Sequence, residues 1–182
     1  MDKLTSLPET PAAGLDDRES LEGFQRGDPE AVARLYDRTN AGLFTFVRSL
    51  IRDSASSEDV VHETFLRLLE AHPKSPIQSL HSFIYRIARN LALDVLRERA
   101  RKSPRPPEPP PSRDPSGPDR EPGVAWAALD QLEDDQRETV VLKVFGGLTF
   151  LQIGEVMSVP VGTAASRYRY ALEKLAEFLR DK

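Results

Sequence analysis

The chain has 182 residues, enough for one or two small domains, with 39% hydrophobic residues and a formal net charge of −4. It has no cysteine, which excludes disulfides and thiolate metal sites, and its three histidines lack the i, i+4 spacing of a helical zinc pair. Spacing supports neither a nucleophile–base pair nor a glycine-rich phosphate loop, so we expect no cofactor and no enzyme. No apolar run suits a signal peptide or a membrane span, and we expect a cytoplasmic protein.

Charge is unevenly distributed along the chain. Residues 1–20 carry five acidic and two basic groups, whereas residues 86–105 carry seven basic and two acidic groups. Because charges beyond a Debye length of about 8–10 Å are largely screened, a local basic patch decides a local contact. The pattern is compatible with DNA binding and argues against strong non-specific binding by the whole chain.

Residues 1–19 are rich in proline, aspartate and small residues, which predicts a disordered tail. The first compact piece, residues 20–103, is predicted to be helical. A helix begins at Asp28, an N-cap followed by a first-turn proline and glutamate, and a break near Thr39 is left open. A second helix start is predicted at residues 56–59, which resemble a capping box. No segment alternates with period two, so we expect no sheet.

The most informative segment is residues 81–102, which the spacing predicts to be one amphipathic helix. Apolar residues recur at helical spacing on one face, namely Phe83, Ile84, Ile87, Ala88, Leu91, Val95 and Leu96. The opposite face carries Arg86, Asn90, Arg97 and Arg101. Arginine can bind phosphates or guanine edges and asparagine can read adenine, so this face favours a polyanion. From this segment alone, an ordinary solvated charged face remains the alternative.

Residues 104–123 hold nine of the chain's 15 prolines, which predicts a semi-rigid linker. A second helical piece is predicted over residues 124–182, with helices at 124–132, 134–145, 149–157 and 163–180. The tight turn at residues 158–162 between the last two helices indicates a helix-turn-helix, with a plain helical hairpin as the alternative. The fold class is therefore all-α, with two small helical domains joined by the proline-rich linker.

Three motifs follow one another in a specific order. Leu35-Tyr36 with residues 57–65 comes first, residues 83–90 with Asp94 and Arg97 come next, and residues 147–149 with 160–167 come last. Together they resemble the extracytoplasmic-function (ECF) sigma factors, the two-domain initiation subunits of bacterial RNA polymerase. The resemblance implies a region-two-like helical bundle at 20–103 and a region-four-like helix-turn-helix domain at 124–182.

The resemblance also implies three binding surfaces. Contact with core RNA polymerase falls on Glu58, Asp59, His62 and Glu63. Recognition of the minus-ten promoter element falls on the loop at 73–80 and on His81, Tyr85, Arg86, Asn90, Arg97 and Arg101. Recognition of the minus-thirty-five element falls on Thr163, Ser166, Arg167, Arg169, Tyr170 and Lys174. The implied partners are bacterial core RNA polymerase and promoter DNA, and an anti-sigma protein is left open as a further partner.

Three residues depart from the family pattern. His62 stands where the family usually has glutamine, and Phe83 stands where it usually has tryptophan. Ala165 stands where better-known members often place an arginine that contacts DNA, which puts the usual base readout of the last helix in doubt. Two other functions stay open from the sequence: a DNA-binding regulator that uses only its helix-turn-helix, and a decoy that occupies polymerase without initiating.

Overall fold

The computed structural model describes residues 13–71, 77–102 and 124–180. Within these residues the chain forms eight helices and no strand, which confirms the all-α prediction. The helices are α1 (Ala13–Gln25), α2 (Pro29–Ile51), α3 (Ser54–Glu70), α4 (Leu80–Lys102), α5 (Val124–Leu129), α6 (Asp134–Val144), α7 (Phe150–Met157) and α8 (Val161–Arg180). The predicted linker at 104–123 lies outside the described residues, as do residues 1–12 of the predicted tail.

Local signals in the sequence set most helix ends. The Asp28 side chain accepts a hydrogen bond from the Glu30 backbone N–H, as predicted. Helix α2 is continuous through Thr39, whose hydroxyl donates to the Leu35 carbonyl one turn earlier at 2.6 Å. Helix α3 begins earlier than predicted, since Asp53 is its N-cap and accepts from the backbone N–H of Ser56. The predicted capping box at residues 56–59 is therefore wrong.

Helix α1 is the main departure from the predicted disordered tail. It begins at Ala13, so the prediction of disorder is wrong for residues 13–19. Leu21 and Phe24 pack against the core, and Ser20 is buried. Burial of apolar side chains stabilises this helix, and composition alone does not show where such side chains will pack.

Helices α1–α4, called here the first region, share one apolar core. This core includes Leu43 and Phe46 on α2, Leu68 on α3 and Ile84 on α4, and all four side chains are fully buried. Ala88 and Leu91 continue the buried stripe of α4, as the helical spacing predicts. A long helix anchored along one face in this way leaves its opposite face free for contacts.

Helices α5–α8 form the second region, in which α6 and α7 pack against α8. Thr149 caps α7 in a reciprocal capping box with Gln152, and Ser158 ends that helix in the left-handed conformation (φ 57°). Helix α8 begins at Val161, directly after Pro160. The helix-turn-helix prediction is confirmed in α7, the turn and α8.

The two regions pack against each other, with α6 on α2 and α7 on α4. Gly42 permits the first of these contacts: a Cβ atom there would lie 2.5 Å from the carbonyl oxygen of Phe145, which terminates α6. The sequence suggested two tethered pieces, and this direct contact was not predicted. None of the helices in the described ranges is long and apolar enough to cross a membrane.

Candidate partner and nucleic-acid interfaces

An acidic and apolar strip runs along the exposed side of α3. Glu58, Asp59 and His62 are exposed, and Glu63 is half-buried with its carboxylate 2.8 Å from Nε of Arg67. The strip continues with exposed apolar side chains that the sequence analysis did not select, namely Leu66 and Leu69. Leu66 lies four residues after His62, and Leu69 lies seven residues after it, so both are on the same helical face as His62. A partner helix with basic and apolar residues would complement this strip.

The polar face of α4 is exposed, as predicted. Arg86, Asn90, Arg97 and Arg101 all lie at the surface. The Arg97 guanidinium is 2.9 Å from the Asp94 carboxylate, and both side chains are well exposed. Exposed ion pairs contribute about 0–1 kcal/mol, so a phosphate could replace Asp94 at little cost. This face is available to a polyanion.

Tyr85 does not belong to that surface, and its assignment as a DNA-contacting residue is wrong. Its side chain is 1% exposed, and its ring packs against Phe46 at a centroid distance of 5.6 Å. Burial raises the pKa of the Tyr85 hydroxyl well above its usual range. His81 is half-buried, and its ring packs on the outer side of Tyr85 at 5.3 Å. Of the two candidate stacking groups, only His81 reaches the surface.

The residues proposed for helix α8 divide into two groups. Arg169 and Tyr170 are exposed, with the Arg169 guanidinium 4.9 Å from the Tyr170 ring centroid. Thr163 and Ser166 are half-buried, and the Ser166 hydroxyl donates to the Thr163 carbonyl at 3.0 Å. The remaining two residues, Arg167 and Lys174, are ion-paired to another helix.

Arg167 and Lys174 are already paired with acids at the start of α6. A nitrogen of Arg167 lies 2.5 Å from a carboxylate oxygen of Asp135, and the Arg167 side chain is 26% exposed. The Lys174 ammonium lies 3.1 Å from the Glu133 carboxylate. The two cations lie on α8 and the two acids lie at the start of α6, so the periodicity of either helix could not reveal that they meet.

Polar side chains also join the two regions. Arg89 on α4 donates from Nε to Glu138 Oε1 at 2.5 Å and from a terminal nitrogen to Oε2 at 3.3 Å. Nearby, the Ser82 hydroxyl donates to Glu155 at 2.8 Å, and the Gln152 amide donates to the Ser79 hydroxyl at 2.9 Å. We call these three pairings the interdomain contact. Each joins residues at least 49 positions apart in the chain, so sequence spacing carried no signal for them.

Glu138 is the most buried member of the interdomain contact, with a side chain that is 6% exposed. Burial raises the pKa of the Glu138 carboxyl above its usual value, although the Arg89 guanidinium opposes this shift. Removing one partner of a buried ion pair typically costs about 3–5 kcal/mol, because the other charge is left unpaired. The pair therefore fixes how α4 and α6 align more than it adds net stability.

Family models match both regions of the chain. Residues 35–102 match Sigma-70 region 2, and residues 124–175 match Sigma-70 region 4. The chain is 30% identical over 169 residues to RNA polymerase sigma factor CarQ of Myxococcus xanthus, covering 88% of this chain and 96% of that relative. It is 24% identical to ECF RNA polymerase sigma factor SigW of Bacillus subtilis, covering 90% of this chain and 97% of the relative.

Two solved structures share the fold. One is the sigma factor RpoE with the anti-sigma factor NepR from Bartonella quintana, with a TM-score of 0.62 and 24% identity, covering 76% of this chain and 89% of that chain. The other is CnrH with the cytosolic domain of CnrY, with a TM-score of 0.62 and 20% identity, covering 92% and 99%. The chain belongs to the extracytoplasmic-function RNA polymerase sigma factors, subunits that recognise promoters and direct transcription initiation.

Proposed function

We propose that this sigma factor binds its partners through three surfaces on separate helices. The strip on α3 binds core RNA polymerase through Glu58, Asp59, His62 and Glu63, supported by Leu66 and Leu69. The polar face of α4 contacts the minus-ten element, and α8 contacts the minus-thirty-five element. The observation that carries this proposal is that the first region exposes an acidic face on α3 and an arginine- and asparagine-bearing face on α4, both anchored to one core.

At the minus-ten element, Asn90 is the residue best suited to base recognition, because its amide can pair with adenine in a bidentate manner. Arg86, Arg97 and Arg101 supply positive charge for the phosphates. An unstacked base must regain contacts elsewhere, and His81 at the start of α4 offers a ring for stacking. We therefore expect the N-terminal end of α4, which carries His81, to assist melting of the promoter duplex.

At the minus-thirty-five element, phosphate contacts outweigh base contacts. Ala165 offers no donor, and Arg167 and Lys174 must first exchange their carboxylate partners for DNA. Arg169 and Tyr170 are exposed and can contact DNA directly, with Thr163 and Ser166 beside them. Such contacts give affinity that falls with salt and little choice among sequences.

Further assignments rest on the relatives and on the sequence. The similar RpoE and CnrH structures contain an anti-sigma factor and the cytosolic domain of CnrY, which supports an anti-sigma protein as an additional partner. We assign this sigma factor to the cytoplasm and treat it as a binding subunit rather than an enzyme. Its domains are assigned to residues 20–103 and 124–182, with residues 104–123 as the linker between them.

Transcription reconstituted with bacterial core RNA polymerase tests the proposed function. We expect transcripts with defined start sites from the source genome when the full chain is added, and none without it. Binding to promoter DNA without any polymerase-dependent transcript would instead identify a helix-turn-helix regulator. Binding to polymerase without transcripts would identify a decoy.

A further inference from the structure

Arg89 occupies a position on α4 that DNA would be expected to use. It lies three residues after Arg86 and next to Asn90, within the segment proposed to contact the minus-ten element. Its guanidinium, however, is held at two atoms by Glu138 of the second region, at 2.5 and 3.3 Å. The Arg89 side chain is 20% exposed, whereas Arg86 and Asn90 are exposed.

The geometry of this pair matches the way in which arginine binds phosphate. A carboxylate and a phosphate both present two oxygens to the planar guanidinium fork, and both form charge-assisted hydrogen bonds with it. Glu138 therefore satisfies Arg89 with the same chemistry that a DNA backbone would supply.

The N-terminal end of α4, before Arg89, is covered at two further points. Ser82 donates to Glu155, and Ser79 accepts from Gln152, so helix α7 lies over the residues that precede and begin α4. Serine hydroxyls are common phosphate contacts in protein–DNA interfaces. Two side chains of the first region that could donate to a DNA phosphate, Arg89 and Ser82, are thus occupied by carboxylates of the second region.

We propose that Glu138 and Glu155 stand in for DNA phosphates in the free chain, and that Arg89 is a further DNA-contacting residue that becomes available only when the two regions separate. The inference rests on the proposed function, because it uses the assignment of α4 to promoter DNA. It adds a residue to that surface and explains why the surface is partly closed without polymerase.

The distance between the promoter elements requires the same separation. Elements named minus ten and minus thirty-five lie about 25 base pairs apart, or about 85 Å at ~3.4 Å per base pair. Two regions in direct contact cannot span that length, whereas residues 104–123 would reach about 60 Å if fully extended at ~3.1 Å per residue. Engagement of both elements therefore breaks the interdomain contact and frees Arg89.

The test uses the full chain without polymerase and a short fluorescein-labelled single-stranded DNA of mixed sequence as the probe. We expect Glu138→Ala combined with Glu155→Ala to increase affinity for this probe several-fold at low salt. The plot of log affinity against log salt should become steeper by about 0.7 for the added phosphate contact. Adding Arg89→Ala to this pair should abolish both gains.

Two matched controls separate this effect from a general change in charge. Glu19→Ala with Glu22→Ala removes two exposed acids from α1 and should leave the affinity nearly unchanged, and Arg18→Ala should not abolish the gain. Helical content and melting temperature verify folding, and if the alanine pair unfolds the chain, the isosteric pair Glu138→Gln with Glu155→Gln replaces it.

Three results would overturn the inference: no gain in affinity in a folded variant, an equal gain in the α1 control, or a gain that survives Arg89→Ala. Because polymerase is absent, failure here leaves the transcription result untouched. Conversely, if the chain did not support transcription but showed an Arg89-dependent gain in DNA affinity, the proposed function would fail and the masking of Arg89 would stand.

Discussion

The two helices proposed to contact DNA, α4 and α8, are held in place by different means. Helix α4 is anchored by large buried side chains such as Ile84 and Leu91, and most of its arginines extend into solvent. Helix α8 has only two fully buried residues, Ala164 and Ala171. Small residues allow close approach but contribute little buried area, so the ion pairs of α8 with α6 have more influence on its position.

The difference shows that the same residue type serves two purposes in one chain. Arg97 on α4 has a well-exposed local partner in Asp94, which is easily replaced. Arg167 on α8 is partly covered and joins α8 to Asp135 of another helix. Arg97 on α4 is thus available for DNA, whereas Arg167 on α8 must first leave a structural role.

The largest effect is expected on α3 of the first region, whose strip is fully formed and accessible. Changing both Asp59→Lys and Glu63→Lys should weaken binding to core RNA polymerase more than tenfold, because two reversed charges face a cationic partner and a tenfold loss needs only about 1.4 kcal/mol. Fluorescence titration with core polymerase measures this. The matched control, Glu19→Lys with Glu22→Lys on α1, should bind normally, and equal affinities for both variants would remove α3 from the polymerase interface.

Substitution of Gly42 tests how closely the two regions approach, and substitution of Gly162 is the control. In Gly42→Ala the new Cβ would clash with the backbone of Phe145 and with the Tyr85 hydroxyl, so we expect a loss of about 1–3 kcal/mol in the free energy of unfolding. Gly162→Ala, where a Cβ meets nothing within 4 Å, should instead stabilise the chain by about 0.4–1 kcal/mol. Urea unfolding of both variants provides the comparison. Stabilisation by Gly42→Ala would mean that α2 and α6 do not approach as described.

Replacing Arg169 tests how α8 binds DNA through an exposed cation rather than through Arg167 and Lys174, which are paired with acids. Arg169→Ala should weaken duplex binding by the full chain about equally across upstream sequences and reduce the salt slope by about 0.9, the value for one phosphate contact. A loss restricted to one base pair, with the slope unchanged, would make Arg169 a base-reading residue instead.

A smaller effect separates the two helices directly. Asp135→Asn should release Arg167 and increase duplex affinity, whereas Asp94→Asn should change affinity less, because the exposed Asp94 hardly restrains Arg97. Both variants lose one negative charge, so each controls for the other in the same fluorescence anisotropy assay. Equal gains would show that the partner on α6 restrains Arg167 no more than Asp94 restrains Arg97.

The smallest effect is on pH dependence. Burial raises the folded-state pKa of the Glu138 carboxyl above its usual value, so the folded chain binds this proton more tightly than the unfolded chain does. The stability that Glu138 contributes is therefore present in acid and is lost as pH rises through the raised pKa. We therefore expect the melting temperature of the unaltered chain to fall between about pH 4.5 and neutrality. Glu138→Gln should remove this fall. Glu98→Gln, at an exposed carboxyl whose pKa Lys102 lowers, should leave this decline in place.

Periodicity predicted the faces of α4 because Ile84, Ala88 and Leu91 recur every three or four residues and lie on the core, as expected. The assignment of Tyr85 to promoter contact came from the family resemblance and not from periodicity, and the structure places its ring in the core next to Phe46. Capping chemistry fixed the start of α2 at Asp28 but misplaced the start of α3, where Asp53 competes with the later serines.

The interdomain contact could not be predicted, since Arg89 and Glu138 lie 49 residues apart on different helices. Each looks like an ordinary charge on its own helix. The pairing of Arg167 with Asp135 escaped prediction for the same reason, because hydrophobic spacing identifies which side of a helix is exposed and not which charge lies opposite it.

The most direct measurement follows the separation of the two regions. The natural chain has no cysteine, so cysteines introduced at the exposed Asp37 on α2 and Glu177 on α8 can carry a donor and an acceptor dye. We predict high energy transfer in the free chain and low transfer when core RNA polymerase and promoter DNA are added. Glu138→Ala with Glu155→Ala should lower transfer before polymerase is added. High transfer in a complex that is actively initiating transcription would contradict the account.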